Sequence, residues 1–187
     1  MVRDGEANTM QAAGGSRRTH PGGYHDCAMS SERFRPSVTV AAIVERDGRY
    51  LLVEEETPEG LRLNNPAGHL DPGESPVQGC RRETLEETTH RFEPEALVGI
   101  YLSRSVLPGD AGDVTYMRFA FCGQLGDMVP GAQFDTGILR TLWLTPDELR
   151  ASRERLRSPL VLQCIEDHLA GRRYPLELIH TDPSVTA

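Results

Sequence analysis

The residues best suited to chemistry lie in a glycine-rich loop and in the helix predicted to follow it. One glycine and five charged residues are spaced over this stretch: Gly68, Glu74, Arg82, Glu83, Glu86 and Glu87. Residues three and four apart share one face of a helix, so the last three glutamates are predicted to project together. Carboxylates this close repel one another unless a cation lies among them, and hard cations such as Mg²⁺ prefer oxygen ligands. The pattern predicts a magnesium site suited to cleaving phosphoanhydride bonds.

A less specific interpretation has to be weighed against this one. A run of glutamates on a helix is usually a solvated face, and a glycine before a helix is usually only a turn. Here Glu74 lies at a fixed distance in the loop and Arg82 directly precedes Glu83. Arg82 and Glu86 are also four residues apart, so one guanidinium can orient a carboxylate while its neighbours hold metal. Together these constraints favour the metal site.

The stretch resembles the Nudix box. That pattern is glycine, five residues, glutamate, seven residues, arginine-glutamate, an aliphatic residue, any residue, two glutamates, any residue, glycine and an aliphatic residue. The glycine and all the charged positions match, whereas Thr84, Thr89 and His90 replace the first aliphatic residue, the closing glycine and the last aliphatic residue. Glycine after a helix enters the left-handed region cheaply, whereas a threonine does so at about 1–2 kcal/mol. The helix is therefore predicted to end differently here.

Further segments resemble the NudJ-type phosphatases within that superfamily. They cover most of residues 36–179 and read V-T-V-A, V-E-E, N-N-P-A-G-H-L, M-R-F-A-F, R-S-P-L-V and G-R-R-Y-P-L-E-L-I. The resemblance implies Mg²⁺-dependent hydrolysis of nucleoside tri- and diphosphates with release of orthophosphate, Mn²⁺ being able to substitute. It also implies activity on thiamine diphosphate and on the diphosphate of its hydroxymethylpyrimidine precursor.

Two alternative functions stay open at this point. The first is attack at an inner phosphorus with release of pyrophosphate, as in an enzyme that sanitises the nucleotide pool. The second is a Nudix-fold module that binds a nucleotide without hydrolysing it. Degenerate modules usually lose acidic box positions, and all of these are present here.

The resemblance also implies roles for individual residues. It assigns the metal to Glu83, Glu86 and Glu87, with the Gly68 carbonyl, and makes Glu83 a candidate for deprotonating the attacking water. Asp135, outside the box, is a second candidate base, although a turn-forming aspartate explains it equally well. Glu74 and Arg82 are predicted to form an ion pair that orients the acidic helix.

Four further residues are candidates for binding substrate. Arg118 lies among aromatic residues in a predicted strand, and an arginine there needs a partner, either a phosphate or an internal carboxylate. Arg172 and Arg173 could clamp a phosphate or only complement the end of a helix. Asn65 could contact the organic moiety or only suit a turn before proline.

The elements that must position these residues alternate between strand and helix patterns. Apolar and β-branched runs predict strands, whereas capping signals at Thr145 and Ser158 predict two helices after the box helix. The predicted strands are 38–44, 50–53, 61–65, 96–103, 114–123 and 139–144. Mixed strands with helices on either side indicate an α/β fold, an α/β/α sandwich with a mixed sheet, which the Nudix resemblance also implies.

Composition bounds the remaining expectations. Residues 1–33 are predicted to be a disordered extension, 34–180 the Nudix hydrolase domain and 181–187 a tail. No apolar run is long enough for a membrane span, and the net charge of −8 argues against a nucleic-acid surface. The four cysteines have no paired spacing, so a reduced, cytoplasmic protein is expected, as a monomer or homodimer acting on a small phosphoanhydride substrate.

Overall fold

The computed structural model describes residues 34–106 and 112–186, so the predicted extension at 1–33 lies outside the described residues. The strands are β1 (Ser37–Ile43), β2 (Glu45–Arg46), β3 (Arg49–Thr57), β4 (Gly60–Asn64), β5 (Ala67–His69), β6 (His90–Val106), β7 (Asp113–Met128) and β8 (Ile138–Leu144). The α-helices are α1 (Pro76–Thr88), α2 (Pro146–Ala151) and α3 (Pro159–Leu169). Short 3₁₀ turns span Arg153–Arg155, Leu176–Leu178 and Pro183–Val185.

The strands form two sheets, one mixed and one antiparallel. In the mixed sheet the order is β5-β1-β7-β6, with β1 parallel to β7 and antiparallel to β5. In the second sheet β3 pairs with β2, β4 and β8. The central strand β1 therefore carries β5, with the loop that opens the box, along one edge.

Helices cover both faces of the mixed sheet because β1 and β7 bury apolar side chains on each side. Val40 and Phe121 belong to a core cluster that includes Cys80 of α1. Ile43 and Ala120 belong to a second cluster that includes residues of α2 and α3. Burial on both faces requires cover on both faces, and the α/β/α sandwich with a mixed sheet is confirmed.

Several strands differ from the prediction: β3 and β7 run past the predicted 50–53 and 114–123, β2 was not predicted, and β6 and β5 differ most. β6 begins at His90 and continues through Pro94. Its pairing with β7 shifts register between His90/Phe92, Pro94/Ala96 and Leu97/Gly99, and such irregularities let a strand accommodate a proline. β5 forms where a loop was predicted, pairing Gly68 with Val40. Three residues are too short for a period-2 signal, so the sequence did not reveal this strand.

In the described ranges, every helix falls short of the length and apolarity that crossing a membrane requires.

Candidate functional site

The box helix begins at a complete capping box. The Ser75 hydroxyl accepts a hydrogen bond from the Gln78 backbone N–H, and the Gln78 side chain accepts one from the Ser75 N–H. Pro76 occupies the first helical position, where a missing N–H costs nothing. The start of α1 is thus set locally, which fixes where the acidic residues face.

The prediction that α1 would end differently from the family pattern is wrong. Thr89 adopts the left-handed conformation, with φ 62° and ψ 10°, and its N–H donates to the Leu85 carbonyl. Its hydroxyl donates to the Thr88 carbonyl at 2.6 Å. This hydrogen bond and the packing around a residue that is only 9% exposed offset the cost of the conformation.

The other two departures are absorbed by hydrogen bonds to the backbone. Thr84 is fully buried, and its hydroxyl donates to the Cys80 carbonyl one turn earlier at 2.7 Å. The His90 ring nitrogen Nδ1 lies 2.6 Å from the Thr88 carbonyl oxygen. A threonine can stand in an aliphatic position when its hydroxyl bonds to the helix itself.

Gly68 brings β5 so close to α1 that any other residue there would have to displace the Glu83 carboxylate. A Cβ atom added to Gly68 would lie 2.1 Å from Oε2 of Glu83. Glu83 is therefore pressed against the loop backbone, and burial raises the pKa of its carboxyl group, opposed by Arg82. Close approach, not a positive φ, is the reason for glycine at this position.

Glu87 is the most deeply buried acidic residue of the box. It is 8% exposed, and its Oε2 accepts a hydrogen bond from the Ala67 N–H at 2.8 Å. Burial raises the pKa of its carboxyl group to about 8, and the nearby charges of Glu83, Glu55 and Asp135 add to the rise. A carboxylate in this setting needs a positive charge to ionise fully at neutral pH.

Arg82 joins the other box carboxylates. It makes a bidentate contact with Glu74, with Nη2 to Oε1 at 2.7 Å and Nε to Oε2 at 3.0 Å. Its Nη1 donates to Glu83 at 2.7 Å and to Glu86 at 3.0 Å, and its Nη2 also donates to the His69 carbonyl. The ion pair holds the pKa of Glu74 below its ordinary value. The predicted Glu74–Arg82 pair is present, and it ties the loop to the helix.

The oxygen atoms around α1 suit a hard divalent cation, but their side chains are not already gathered around one point. Among residues 34–106 and 112–186, no group of three acidic, histidine or cysteine side chains is arranged to hold an ion. Glu83 and Glu86 point to Arg82, and Glu87 points to the Ala67 N–H. The donors present, carboxylates and a backbone carbonyl, are the oxygen ligands that hard divalent cations such as Mg²⁺ prefer.

Asp135 lies beside the end of α1. Its backbone N–H donates to the Glu86 carbonyl at 2.9 Å, and its own carboxylate accepts from the Thr136 N–H at 2.7 Å. Its charge contributes to the raised pKa of Glu87. The structure therefore gives Asp135 both features expected from the sequence, proximity to the box and a turn-forming hydrogen bond.

Arg118 and Asn65 are buried, and two polar atoms of each have no hydrogen-bond partner among the described residues. Arg118 is 8% exposed, and within the described residues its Nε and Nη1 have no hydrogen-bond acceptor. Burial lowers its pKa, while Glu55 and Glu87 act in the opposite direction. Asn65 is 1% exposed, and neither its Oδ1 nor its Nδ2 is paired with a described residue. Buried polar groups normally have partners, so both residues are candidates to meet a ligand.

Glu55 on β3 is a site candidate that sequence reasoning missed. Burial raises the pKa of its carboxyl group, and its charge influences both Glu87 and Arg118. Its Oε1 has no hydrogen bond to any described residue, with the Arg157 Nε at 3.6 Å. It stands in a run of three glutamates that reads as a polar strand end, so no sequence signal distinguished it.

Arg172 and Arg173 lie elsewhere. Arg172 contacts Asp167 at 3.2 Å, and Arg173 donates to the His168 carbonyl at 3.0 Å. In the described part of the chain, no hydrogen bond or ion pair connects either arginine to a box residue. The two arginines instead complement the end of α3, as cations at a helix C-terminus do.

Comparison with known proteins gives consistent results. The NUDIX domain model matches residues 33–163. Phosphatase NudJ of Escherichia coli (strain K12) and of Shigella boydii are each 36% identical over 147 residues, 78% of this chain and 92% of theirs. A NUDIX hydrolase from Nitrosomonas europaea is 51% identical, covering 79% of this chain and 98% of its own, with a TM-score of 0.73. The E. coli ORF135 protein, 22% identical with a TM-score of 0.57 over 74% of this chain and 94% of its own, shares the fold.

Proposed function

Because this chain belongs to the Nudix family and is a hydrolase, we propose that it is a Mg²⁺-dependent phosphatase acting on phosphoanhydride bonds. Its substrates would be nucleoside tri- and diphosphates, with thiamine diphosphate and hydroxymethylpyrimidine diphosphate as further candidates, and orthophosphate the inorganic product. Mn²⁺ would substitute for Mg²⁺. The similarity to Phosphatase NudJ over most of both chains supports this choice.

The observation that carries the proposal is the state of Glu87. A glutamate that is 8% exposed, with a carboxyl pKa of about 8, destabilises the fold when it ionises without a partner. A divalent cation would supply the missing positive charge. In the proposed site Glu83, Glu86, Glu87 and the Gly68 carbonyl would hold it, and it would lower the pKa of a bound water and offset charge on the phosphate oxygens.

The chain's own residues would complete the chemistry. Glu83, or Asp135 from outside the box, would accept the proton of the attacking water. The Arg82–Glu74 ion pair would fix the position of the loop relative to α1, so that Glu83 stays against Gly68. Arg118 and Asn65 would bind the substrate with the polar atoms that have no partner among the described residues.

A substrate panel with product analysis tests the proposed reaction. Nucleotides, thiamine diphosphate, dinucleoside polyphosphates and ADP-ribose would be digested in H₂¹⁸O with Mg²⁺, and the products separated by anion chromatography. Orthophosphate as the inorganic product of GTP, with label in the fragment attacked by water, is the expected result. Pyrophosphate as the sole inorganic product would support the alternative, a pyrophosphate-releasing enzyme.

Substitutions in the box test the proposed site separately. Glu83→Gln and Glu87→Gln are each expected to lower kcat more than tenfold, because each removes a charged oxygen ligand from the metal. Glu56→Gln on β3, an exposed residue, is the matched control and should retain full activity. Full activity of both box variants in Mg²⁺ would refute the site. No hydrolysis of any panel compound by the unaltered chain would support a binding module.

The setting of the enzyme follows from the same proposal. A small-molecule substrate needs no nucleic-acid surface, and we propose the cytoplasm as the compartment. In the described residues Cys80, Cys122 and Cys164 are free and buried, as in a reducing environment. A monomer or homodimer stays the prediction for the oligomeric state.

A further inference from the structure

One face of the mixed sheet carries an aromatic pair next to the box. His69 on β5 lies opposite Thr39 on β1, and Thr39 lies opposite Arg118 on β7. Tyr116, two residues before Arg118, lies opposite Ser37. Residues opposite one another in neighbouring strands point to the same face of a sheet. His69, Thr39, Arg118 and Tyr116 therefore share one face.

The two rings stand on either side of β1, and we call the space between them the trough. Between the rings, β1 contributes the small side chains of Ser37 and Thr39 to this face, with Ala41 and Ile43 further along it. The ring centroids of His69 and Tyr116 are 6.3 Å apart, with an angle of 50° between the ring planes. A planar ring stacked between two others needs about 7 Å, two carbon–carbon contact distances. As they stand the rings are too close and too tilted to hold a third ring between them, so the exposed His69 ring would have to turn outward to admit one.

The floor of the trough is polar, and several of its polar atoms have no hydrogen-bond partner within the described chain, although Arg118 also has the Cys164 thiol of α3 beside it. Thr39 is 7% exposed, and its Oγ1 has no partner there. Arg118, its neighbour across the strands, is 8% exposed and has two unpaired guanidinium nitrogens among the described residues. Two buried polar side chains with atoms unpaired among the described residues, next to each other and beside an aromatic pair, favour a ligand that supplies the missing contacts.

The trough is joined to the box through the backbone. His69 directly follows Gly68, which touches Glu83, and the His69 carbonyl accepts a hydrogen bond from Arg82 Nη2 at 2.8 Å. A substrate with its diphosphate at the box carboxylates would therefore extend its organic end over β1. A nucleotide has its ring only a sugar away from its phosphates, which matches this arrangement.

We propose that His69 and Tyr116 hold the aromatic nitrogen heterocycle of the substrate, with Thr39 and Arg118 beneath it contacting its polar atoms or the adjoining phosphate. This inference rests on the proposed function and adds a substrate preference to it. Diphosphates that carry a planar heterocycle are favoured over diphosphates that do not. Aromatic stacking tolerates any planar ring, so several bases would be accepted.

Binding and turnover should be measured with matched compounds. The substrates are ADP and ribose 5-diphosphate, which keeps the sugar and the phosphoanhydride but lacks the base. Tyr116→Ala and His69→Ala are each expected to raise the KM for ADP about tenfold relative to the KM for ribose 5-diphosphate. Tyr116→Phe and His69→Phe keep the ring and should restore the unaltered ratio. Tyr174→Ala, an exposed tyrosine whose backbone pairs with Leu97, is the control.

Titration calorimetry with α,β-methylene-ADP in Mg²⁺ separates this inference from the proposed function, because it needs no turnover. The alanine variants should bind this analogue about tenfold more weakly, and the phenylalanine variants as the unaltered protein does. Affinity unchanged by both alanine substitutions, or lost equally in the phenylalanine variants, would overturn the inference whether or not the enzyme hydrolyses ADP. Absence of hydrolysis together with ring-dependent binding would overturn only the proposed reaction.

Discussion

Replacement of Glu87 by glutamine should stabilise the metal-free protein at alkaline pH. Glu87 is 8% exposed, and burial raises the pKa of its carboxyl group from 4.5 to about 8. Glutamine keeps an oxygen to accept the Ala67 N–H and carries no charge. At about 1.4 kcal/mol for each tenfold change in proton affinity, full ionisation of this group costs at most about 4–5 kcal/mol.

The sign follows from proton binding in the two states. Between pH 4.5 and about 8 the folded chain keeps the Glu87 proton while the unfolded chain has lost it. The free energy of unfolding therefore falls as pH rises through this window, and the loss is complete above it. Below pH 4.5 both states are protonated, so the carboxyl group and its glutamine replacement should differ little in stability.

Urea unfolding in EDTA at several pH values from 5 to 9, followed by the fluorescence of the single tryptophan, Trp143, measures the effect. Glu87→Gln should exceed the unaltered protein in stability by about 2–4 kcal/mol at pH 9 and by less than about 1 kcal/mol at pH 5. Glu56→Gln is the control, with no such trend. Addition of Mg²⁺ at pH 9 should stabilise the unaltered protein by mass action and the variant much less. Parallel pH curves for Glu87→Gln and the unaltered protein would refute the burial argument.

Substitutions at three further positions test what holds the box in place. Arg82→Lys should lower kcat at least tenfold and lower the free energy of unfolding, measured by thermal unfolding, by about 2 kcal/mol. The reason is that an ammonium group cannot make two hydrogen bonds to Glu74 and also reach Glu86. An unaltered rate would contradict this. Thr84→Val should leave activity intact and change unfolding free energy by less than about 1 kcal/mol, since the hydroxyl only duplicates a helix bond. In denaturant unfolding, Thr89→Gly should be more stable than Thr89→Val by about 1–2 kcal/mol, because φ at Thr89 is 62°; the reverse order would refute strain there.

The elements of the fold could be predicted where local pattern decides them. The β1 run of apolar β-branched residues and the capping signals at Thr145 and Ser158 each gave the right element, because strand burial and helix starts depend on neighbouring residues. The Thr145 hydroxyl does cap α2, whereas α3 begins after Ser158 without a side-chain capping hydrogen bond. Strand lengths could not be predicted. β6 reaches from His90 to Val106 only because β7 pairs along its whole length, and such pairing is a property of the fold, not of the segment.

The site residues, too, could be predicted only where neighbouring residues in the sequence decide their position. Glu83, Glu86 and Glu87 share a short helix, so their spacing alone predicted a common neighbourhood. Arg118 could be singled out because an arginine among aromatic residues is anomalous. Glu55 could not, because an acidic residue near a strand end is ordinary and only the packing of β3 buries it. Arg172 and Arg173 were candidates as arginines next to Tyr174. In the structure they follow α3 and contact Asp167 and His168 of that helix, which the sequence did not indicate.

The residues that depart from the box pattern lie at positions that shape the helix, whereas every charged position of the box matches. Thr89 keeps the left-handed turn that glycine normally provides, although the conformation costs a β-branched residue more. The turn is retained because the end of α1 anchors the segment that follows β7: the Thr89 carbonyl accepts a hydrogen bond from the Val129 N–H, and the Glu86 carbonyl accepts one from the Asp135 N–H. These bonds keep Asp135 close enough for its charge to act on Glu87. A changed helix end would move Asp135, so the geometry of the turn matters more than the residue that forms it.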